Sequence, residues 1–369
     1  MKRGMQTIGA ALLVAGLLAA CTSVPTPASP TAGESAASTA RPAPTMTAGT
    51  PTPSVEPSAV TDSPASYYVG AVAFWDAQRG IVGAATDHAD GTASGQILET
   101  HDGGHTWAIV LSVPDLVAEV WVAGTQSAWA LTGCNGDPAC APRLYHTADR
   151  GATWTSASTD LMWVAFTDAS SGWGVAGSGA TTAPSQALLR STRDAGATWQ
   201  SRPSPCAGSP AGPLRAVAFR SASAGLAVCA LTFGAGGENH AMLATRDGGA
   251  TWAVRAMAAD PPATEVGHLP YGGYISGLVL ATDGTAWITG GRMVPLVSRD
   301  DGATWQPLGL GDPAANLVYA AWPLDARRGF AVMWAPDRQA TLLEVTADGG
   351  RTWISGTAWP VGGAAPSTP

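Results

Sequence analysis

Short apolar stretches alternate with polar turns along most of the chain. One phrase recurs six times and consists of a short apolar strand, a polar turn, then a small residue and a large apolar one that open a second strand. Its copies begin at Val72, Glu119, Trp163, Ala216, Leu278 and Ala320. This pattern predicts a β-hairpin at each copy.

A second phrase of eight residues follows each hairpin. All copies fit Ser/Thr-x-Asp-x-Gly-x-Thr-Trp, and we name each copy a box. The boxes begin at Thr100, Thr147, Thr192, Thr245, Ser298 and Thr346, and their aspartates lie 45 to 53 residues apart. A period in this range indicates a repeat architecture.

The apolar runs on either side of each box add two strands to every hairpin. Each repeat of about 50 residues therefore holds four strands, which is typical of a propeller blade. Six such repeats fill residues 66–360. We predict an all-β fold, a six-bladed β-propeller with four-stranded antiparallel blades, with a seven-bladed propeller as the alternative.

The residue types of the box suggest a structural role. The aspartate can accept N–H groups of its own turn, the glycine can take a positive φ, and the tryptophan can wedge between neighbouring blades. We therefore predict structural roles for the six aspartates and six tryptophans, which are Asp102, Asp149, Asp194, Asp247, Asp300, Asp348, Trp107, Trp154, Trp199, Trp252, Trp305 and Trp353.

The boxes resemble the Asp-box, or BNR, repeat, and the resemblance covers essentially everything after the N-terminal segments. Families with this repeat include bacterial sialidases, sortilin-type receptors, two-propeller xyloglucanases and the photosystem II stability-factor group. The hairpin phrase with its Gly-Trp element is most similar to the last group. The resemblance implies a propeller in which the box joins the third and fourth strands of a blade, but no activity, because this fold carries unrelated functions.

The sialidase mechanism, by the same resemblance, would require an arginine clamp that begins before the first box. Arg79 is the only arginine between residues 64 and 99, and it belongs to a turn. The most similar arginine-to-proline sequence elsewhere, "RMVP" from Arg292, lies in the fifth repeat. No nucleophile and base pair is readable. We predict no catalytic residue and a non-catalytic binding or assembly module. The alternatives are a glycoside hydrolase with an unrecognised site and an assembly factor of the photosystem II stability type.

The N-terminus carries the features of a secretory signal over residues 1–20. Lys2 and Arg3 precede an apolar run that is too short to span a bilayer and stops at Cys21. The stretch "LAAC" resembles the lipobox of bacterial lipoproteins, which implies lipid on Cys21 and a location on the extracytoplasmic face of the cell membrane. An ordinary signal peptide with a chance cysteine is the alternative.

Residues 21–65 are rich in Pro, Ser, Thr and Ala, and residues 22–64 contain no aromatic residue. A segment of this composition cannot bury enough apolar area to offset the entropy of ordering it. We predict a disordered tether here and a disordered tail over residues 361–369.

The charge balance excludes one class of partner. The formal net charge is −8, so the chain lacks the basic footprint of nucleic-acid binding. Lys2 is the only lysine, which leaves the mature chain without a Schiff-base lysine. We expect the protein to be a monomer and to need no cofactor. We expect its partner to be a protein or a glycan.

Four cysteines follow Cys21, an even number that suits an oxidising compartment. We predict disulfides between Cys134 and Cys140 and between Cys206 and Cys229. A metal site is the competing interpretation, but histidine or acidic partners at regular spacing are missing. We therefore expect no metal.

Loop lengths vary most between the second and third strands of a blade and between one blade and the next. In an antiparallel blade both kinds of loop open on one face, which we name the connection face, and variable loops on one face indicate a binding surface. The longest insertion, residues 256–276, holds Glu265, His268, Tyr271 and Tyr274. We add Glu238 and His240, in the preceding 2–3 loop, and Arg292 as candidate binding residues. The alternative is that the insertion simply covers the channel mouth.

Overall fold

The computed structural model describes residues 66–87, 93–133, 141–177, 188–208, 212–234, 237–258, 269, 273–310 and 317–360. The chain divides into two units, Met1–Thr52 and Pro53–Pro369, and every described residue belongs to the second. The predicted signal segment, the lipid site at Cys21, the tether and the tail lie outside the described residues. So do the Cys134 and Cys140 pair and the candidates Glu265, His268 and Tyr271.

The prediction of a six-bladed β-propeller is confirmed, with six sheets of four antiparallel strands rather than seven. Blades 1 and 2 consist of β1 (Ser66–Phe74), β2 (Gly80–Asp87), β3 (Ala93–Thr100), β4 (Ala108–Val113), β5 (Val117–Ala123), β6 (Ser127–Thr132), β7 (Arg143–Thr147) and β8 (Thr155–Ser158). Blades 3 and 4 consist of β9 (Leu161–Phe166), β10 (Gly172–Ala176), β11 (Leu188–Thr192), β12 (Gln200–Arg202), β13 (Leu214–Phe219), β14 (Gly225–Gly234), β15 (Gly237–Thr245) and β16 (Ala253–Met257). Blades 5 and 6 consist of β17 (Tyr274–Leu280), β18 (Ala286–Gly291), β19 (Leu296–Ser298), β20 (Gln306–Pro307), β21 (Val318–Pro323), β22 (Gly329–Ala335), β23 (Ala340–Thr346) and β24 (Ile354–Pro360).

The first strand of each blade lies innermost. These strands contact one another in the order β1, β5, β9, β13, β17, β21 and back to β1. Each sheet contains only consecutive strands, so the first and last blades exchange no strand. The ring therefore closes through side-chain packing. None of the residues in the ranges above forms a helix long and apolar enough to cross a membrane.

Each box folds back on its own carboxylate. In blade 4, Asp247 Oδ1 accepts the backbone N–H of Thr251 at 2.9 Å and the hydroxyl of Thr245 at 2.8 Å. Thr245 Oγ1 accepts the N–H of Gly249 at 2.9 Å. The other five boxes repeat these bonds. The aspartate therefore serves as the acceptor for the turn that contains it.

Two successive residues of every box have positive φ: the shared glycine and the residue before it. The box pattern predicted positive φ for the glycine but not for the residue before it, which is Arg150, Ala195 or Asp301 in three boxes. In five blades the backbone N–H of the residue before the glycine donates a hydrogen bond to the hairpin turn of the same blade. Ala195 N–H, for example, donates to Ser170 O at 2.9 Å. This bond fixes the box against the hairpin.

The shared glycine also packs closely against the preceding blade. A Cβ added to Gly350 would lie 2.1 Å from Leu308 of blade 5, and one added to Gly104 would lie 2.3 Å from Leu343 of blade 6. The adjacent tryptophan rings meet the same neighbours: Trp107 lies 5.6 Å from Trp359 between ring centroids. At these boundaries the box packs one blade against another.

Aromatic stacking joins further pairs of blades. An aromatic residue near the start of a blade's second strand stacks on the last residue of the next blade's first strand. Trp129 lies 3.7 Å from Phe166, and Trp173 lies 3.7 Å from Phe219, with rings within 8° of parallel. Much of the hydrophobic core therefore lies between the blades.

The disulfide between Cys206 and Cys229 is present, as predicted, with a Cα–Cα distance of 5.7 Å. Both residues are buried. The bond ties the connection that precedes blade 4 to that blade's second strand.

Candidate functional site

Every first strand contains a β-bulge at an equivalent position. The pairing with the second strand skips one residue there, and the skipped residues are Gly70, Ala118, Met162, Arg215, Ser276 and Tyr319. A bulge takes its extra residue out of the alternation of side chains along the strand and re-aims it. All of these residues except Arg215 line one cavity.

This cavity, of about 120 Å³, lies in the central channel among the first strands of blades 1, 2, 3, 5 and 6. We name it the channel cavity. The ends of the first strands line a second cavity of about 210 Å³ towards the hairpin turns. The channel cavity is therefore the one nearer the connection face. Its bulge residues differ in chemistry from blade to blade.

Three tryptophan rings line the channel cavity. The Trp121 ring centroid lies 6.5 Å from that of Trp163 and 4.8 Å from that of Trp322, in edge-on arrangements. Trp121 and Trp322 also line the second cavity, so these two rings lie between the two spaces.

The indole N–H groups of these rings all bond to the first strand of the following blade. Trp121 donates to Phe166 O at 2.9 Å, and Trp163 donates to Val217 O at 2.8 Å. Trp322 donates in the same way to the first strand of blade 1. The inner edge of a first strand would otherwise leave its carbonyls without partners. As a result, the rings present only their carbon faces and edges to the channel.

Glu119 supplies the one carboxyl group among the described lining residues of the channel cavity. Its Oε2 accepts the backbone N–H of Val164 at 3.1 Å. The residue as a whole is half-buried, and desolvation of its carboxyl group raises the pKa of Glu119 well above its usual range. No arginine or histidine in the described part of the chain forms an ion pair with it.

Glu119 is not among the site residues predicted from the sequence, although the sequence carries a signal for it. It directly follows the bulge of its strand. The residues at the same position in the other blades are Ala71, Trp163, Ala216, Gly277 and Ala320. A single acid at a position that is otherwise apolar or glycine could have marked the site, once the bulge was known.

Glu238 and His240, two of the predicted binding residues, lie together in the third strand of blade 4 rather than in the loop before it. The strands β14 and β15 extend to Gly234 and from Gly237, which leaves almost no loop. Arg215 Nε donates to Glu238 Oε2 at 2.9 Å and a second guanidinium nitrogen contacts Oε1. His240 Nε2 lies 3.5 Å from Glu238 Oε2.

Glu238 and His240 are buried, whereas Arg215 is partly exposed. Desolvation lowers the pKa of His240 to about 4, so the imidazole is neutral at physiological pH. The backbone N–H of Glu238 donates to Gly273 O at 2.8 Å, which ties β15 to the start of blade 5. Arg215, which occupies the bulge of β13, is the member of the cluster that was not predicted from the sequence.

Tyr274 and Arg292 lie close together at the connection end of blade 5. Tyr274 begins β17 and pairs with Gly291, the residue before Arg292. Both side chains are exposed, and Arg292 has a φ of 58°. Neither residue lines the channel cavity.

A separate pocket, with a volume of about 400 Å³, lies between blades 4 and 5. Arg220 Nη1 and Arg246 Nη2 lie 2.5 and 3.5 Å from the carboxylate of Asp301. Arg255 donates to the carbonyl oxygens of Asp300 and Asp301. These contacts bridge the two blades. Over the residues that the structure describes, no group of three or more His, Cys, Asp or Glu side chains is placed to hold a metal ion.

The fold and its channel define this chain as a six-bladed β-propeller with a tryptophan-lined centre. No protein-family model and no curated protein sequence matches it. Among solved structures, it is similar to YCF48 from Cyanidioschyzon merolae, with 14% identity, a TM-score of 0.44, and coverage of 79% of this chain and 85% of that one. A structure of YCF48 bound to D1 peptide gives 17% identity, a TM-score of 0.42, and coverage of 79% and 82%.

The chain is also similar to the GH74 xyloglucanase from Xanthomonas campestris. The identity is 16%, the TM-score is 0.46, and the match covers 80% of this chain but only 46% of the xyloglucanase. The chain thus spans about half the length of that enzyme. These similarities concern the propeller fold and assign no activity.

Proposed function

We propose that the protein is a non-catalytic binding module that captures a protein or glycan partner on its connection face, with the channel cavity at the centre of that face. A lipid on Cys21 and the tether of residues 21–65 would hold it at the extracytoplasmic membrane surface. The observation that carries the proposal is the set of six bulges. They present residues as different as Gly70, Met162 and Tyr319 at equivalent positions of one repeat.

Differences of this kind are not needed to build the propeller. The box and hairpin residues that pack the blades are of the same type from repeat to repeat, whereas the bulge residues are not. In a repeat protein, variation on one face is the usual mark of a binding surface. The bulge residues therefore support recognition at the channel mouth.

The arrangement of carboxyl groups favours binding over glycoside hydrolysis. Most glycosidases place two carboxyl groups across the scissile bond. The described lining of the channel cavity provides one, Glu119. Glu238 is bound by Arg215 on both of its oxygens. A photosystem II type assembly factor, the other alternative, would use the same face for a protein partner.

The test compares two exposed apolar residues. Met162 stands at the bulge of β9 with 42% of its surface exposed, and Ile354 stands on the outer strand β24 with 76% exposed. Captured partners from solubilised membranes and from a glycan array are quantified for the parent, Met162→Glu and Ile354→Glu. We expect Met162→Glu to abolish capture and Ile354→Glu to retain it, with equal melting temperatures. Capture that survives Met162→Glu would overturn the proposal.

A second arm addresses the hydrolase alternative. The parent and Glu119→Gln are incubated with a panel of chromogenic glycosides. Turnover by the parent that disappears in Glu119→Gln would replace the binding proposal with an enzymatic one. We expect no turnover by either protein.

A further inference from the structure

We infer that the channel cavity binds an organic ammonium group, seated against the rings of Trp121, Trp163 and Trp322 and beside the carboxyl of Glu119. The group is either the head of a free alkylammonium compound or the side chain of a partner's lysine, methylated or not. The inference rests on the proposed function, because it names the chemical group that the centre of the connection face accepts.

The position of Glu119 is the first reason. Buried carboxylates in proteins are normally paired with a cation or several donors, because an unpaired buried charge is costly. Glu119 has a single backbone donor, Val164 N–H at 3.1 Å, although a carboxylate can accept more bonds than one. The cavity beside it is where a cationic partner would stand.

The three tryptophans are the second reason. Their N–H groups are already bonded to neighbouring strands, so the rings offer π-electron density and apolar surface. A cation near the face of a tryptophan is attracted by the ring, and recognition of alkylated ammonium groups by several aromatic rings is the main functional use of this interaction.

The lining also discriminates against other ligands. Ca²⁺ and Mg²⁺ require six or more oxygen ligands, whereas the described lining provides one carboxyl group. An alkylammonium group needs one negative charge and an apolar surround.

The size of the cavity matches such a group. A volume of about 120 Å³ corresponds to about four water molecules at about 30 Å³ each. Small residues leave this space open, among them Gly70, Ala118 and Gly277. The acidic balance of the chain, with a formal net charge of −8, also favours the approach of cations.

The direct test uses choline and its neutral isostere 3,3-dimethylbutanol, with binding to the full chain measured by calorimetry. We expect choline to bind the parent at least 10-fold more tightly than the isostere, and Glu119→Gln to weaken choline binding at least 10-fold. Glu344→Gln is the matched control, because Glu344 is also buried but lies on β23 and bonds to Ser355 at 2.6 Å. This control should bind choline as the parent does.

A peptide with one central lysine, and its norleucine counterpart, identify the source of the ammonium group. Lysine peptide binding at least 10-fold tighter than choline, displaced by choline and lost in Glu119→Gln, indicates a group borne on a partner. The reverse order indicates a free compound. Equal choline affinity in the parent and Glu119→Gln, or binding of neither cation, would overturn the inference.

The two proposals fail separately. If neither cation binds and Met162→Glu still abolishes partner capture, the ammonium site is wrong and the binding face stands. If choline binds through Glu119 while Met162→Glu leaves capture intact, the cavity is a small-molecule site and the proposed capture on the connection face is wrong.

Discussion

Phe74 and Phe330 stack face to face across the junction of the first and last blades, with ring centroids 3.5 Å apart and planes within 4°. They are separated by nearly the whole length of the propeller sequence. Since the two blades share no strand, this pair and the bond from Trp322 to Phe74 O at 2.8 Å are principal contacts that close the ring. The seam depends on side chains where a shared strand would supply a ladder of hydrogen bonds.

We predict that Phe330→Ala weakens this seam. Truncating a buried phenylalanine costs about 3–5 kcal/mol of unfolding free energy. Hydrogen exchange should rise specifically in β1 and β24, because opening at the seam exposes the blades on either side. Phe219→Ala, in the equivalent stack with Trp173, is the control and should leave exchange in β1 and β24 unchanged relative to the rest. Equal protection of β1 in both variants would contradict the idea of a weak seam.

Ala195→Gly should stabilise the protein. Ala195 has a φ of 60°, a conformation that costs a residue with a Cβ about 1–2 kcal/mol relative to glycine. Losing the partly buried methyl group offsets some of this gain, so we expect a net increase of about 0.5–1 kcal/mol in unfolding free energy. The control is Ala197→Gly, two residues on and outside the positive-φ positions, which should be neutral or destabilising. Denaturant titrations measure both.

The boxes should make the fold sensitive to acid. Hydrogen bonds from Thr251 and Thr198 lower the pKa of Asp247 and Asp194 from 3.8 to about 2. A folded pKa below the unfolded value means that the stabilisation is present above pH 3.8 and is lost as the pH falls towards 2. The melting temperature should therefore fall between pH 4 and pH 2. Asp247→Asn should melt lower than the parent at pH 7, and a gap that failed to narrow at pH 2 would contradict this account.

Glu119 should have the opposite effect on the pH dependence of stability from the box aspartates. Its pKa is raised by burial, so the folded state binds this proton more tightly than the unfolded state does. The associated stability is present below pH 4.5 and is lost as the pH rises through the folded value. Glu119→Gln stays neutral throughout, so it should melt above the parent at pH 8 and match it near pH 4. A variant less stable than the parent at pH 8 would indicate a structural role for the carboxylate.

The stability of Glu119→Gln relative to the parent at pH 8 distinguishes a carboxyl group kept for recognition from one kept for structure. A side chain whose removal stabilises the fold but abolishes binding is retained for its ligand, because strained or costly groups persist at functional sites. Combined with the choline titration, the melting curves of Glu119→Gln therefore separate the two roles of this residue.

The sequence alone predicted the blade number and the pairing of Cys206 with Cys229. The hydrogen bonds to the aspartate and to the first hydroxyl of each box form within its eight residues, as those among Thr245, Asp247 and Thr251 do, so residue types at fixed spacing are enough to recognise it. Six such local units, each with a hairpin ahead of it, define a six-bladed propeller. This part of the structure depends on contacts that are short in sequence.

Only the tertiary structure decided what occupies the channel. Glu119 meets Val164, and Trp121 meets Phe166, over 45 residues, and both contacts form only when neighbouring blades are placed side by side. The residue skipped at a bulge is set by the register between the first and second strands of the blade. The pattern of hydrophobic positions does not specify where the one extra residue is inserted. The box sequences therefore determine the propeller, while the pairing of strands and the closure of the ring determine the lining of its channel cavity.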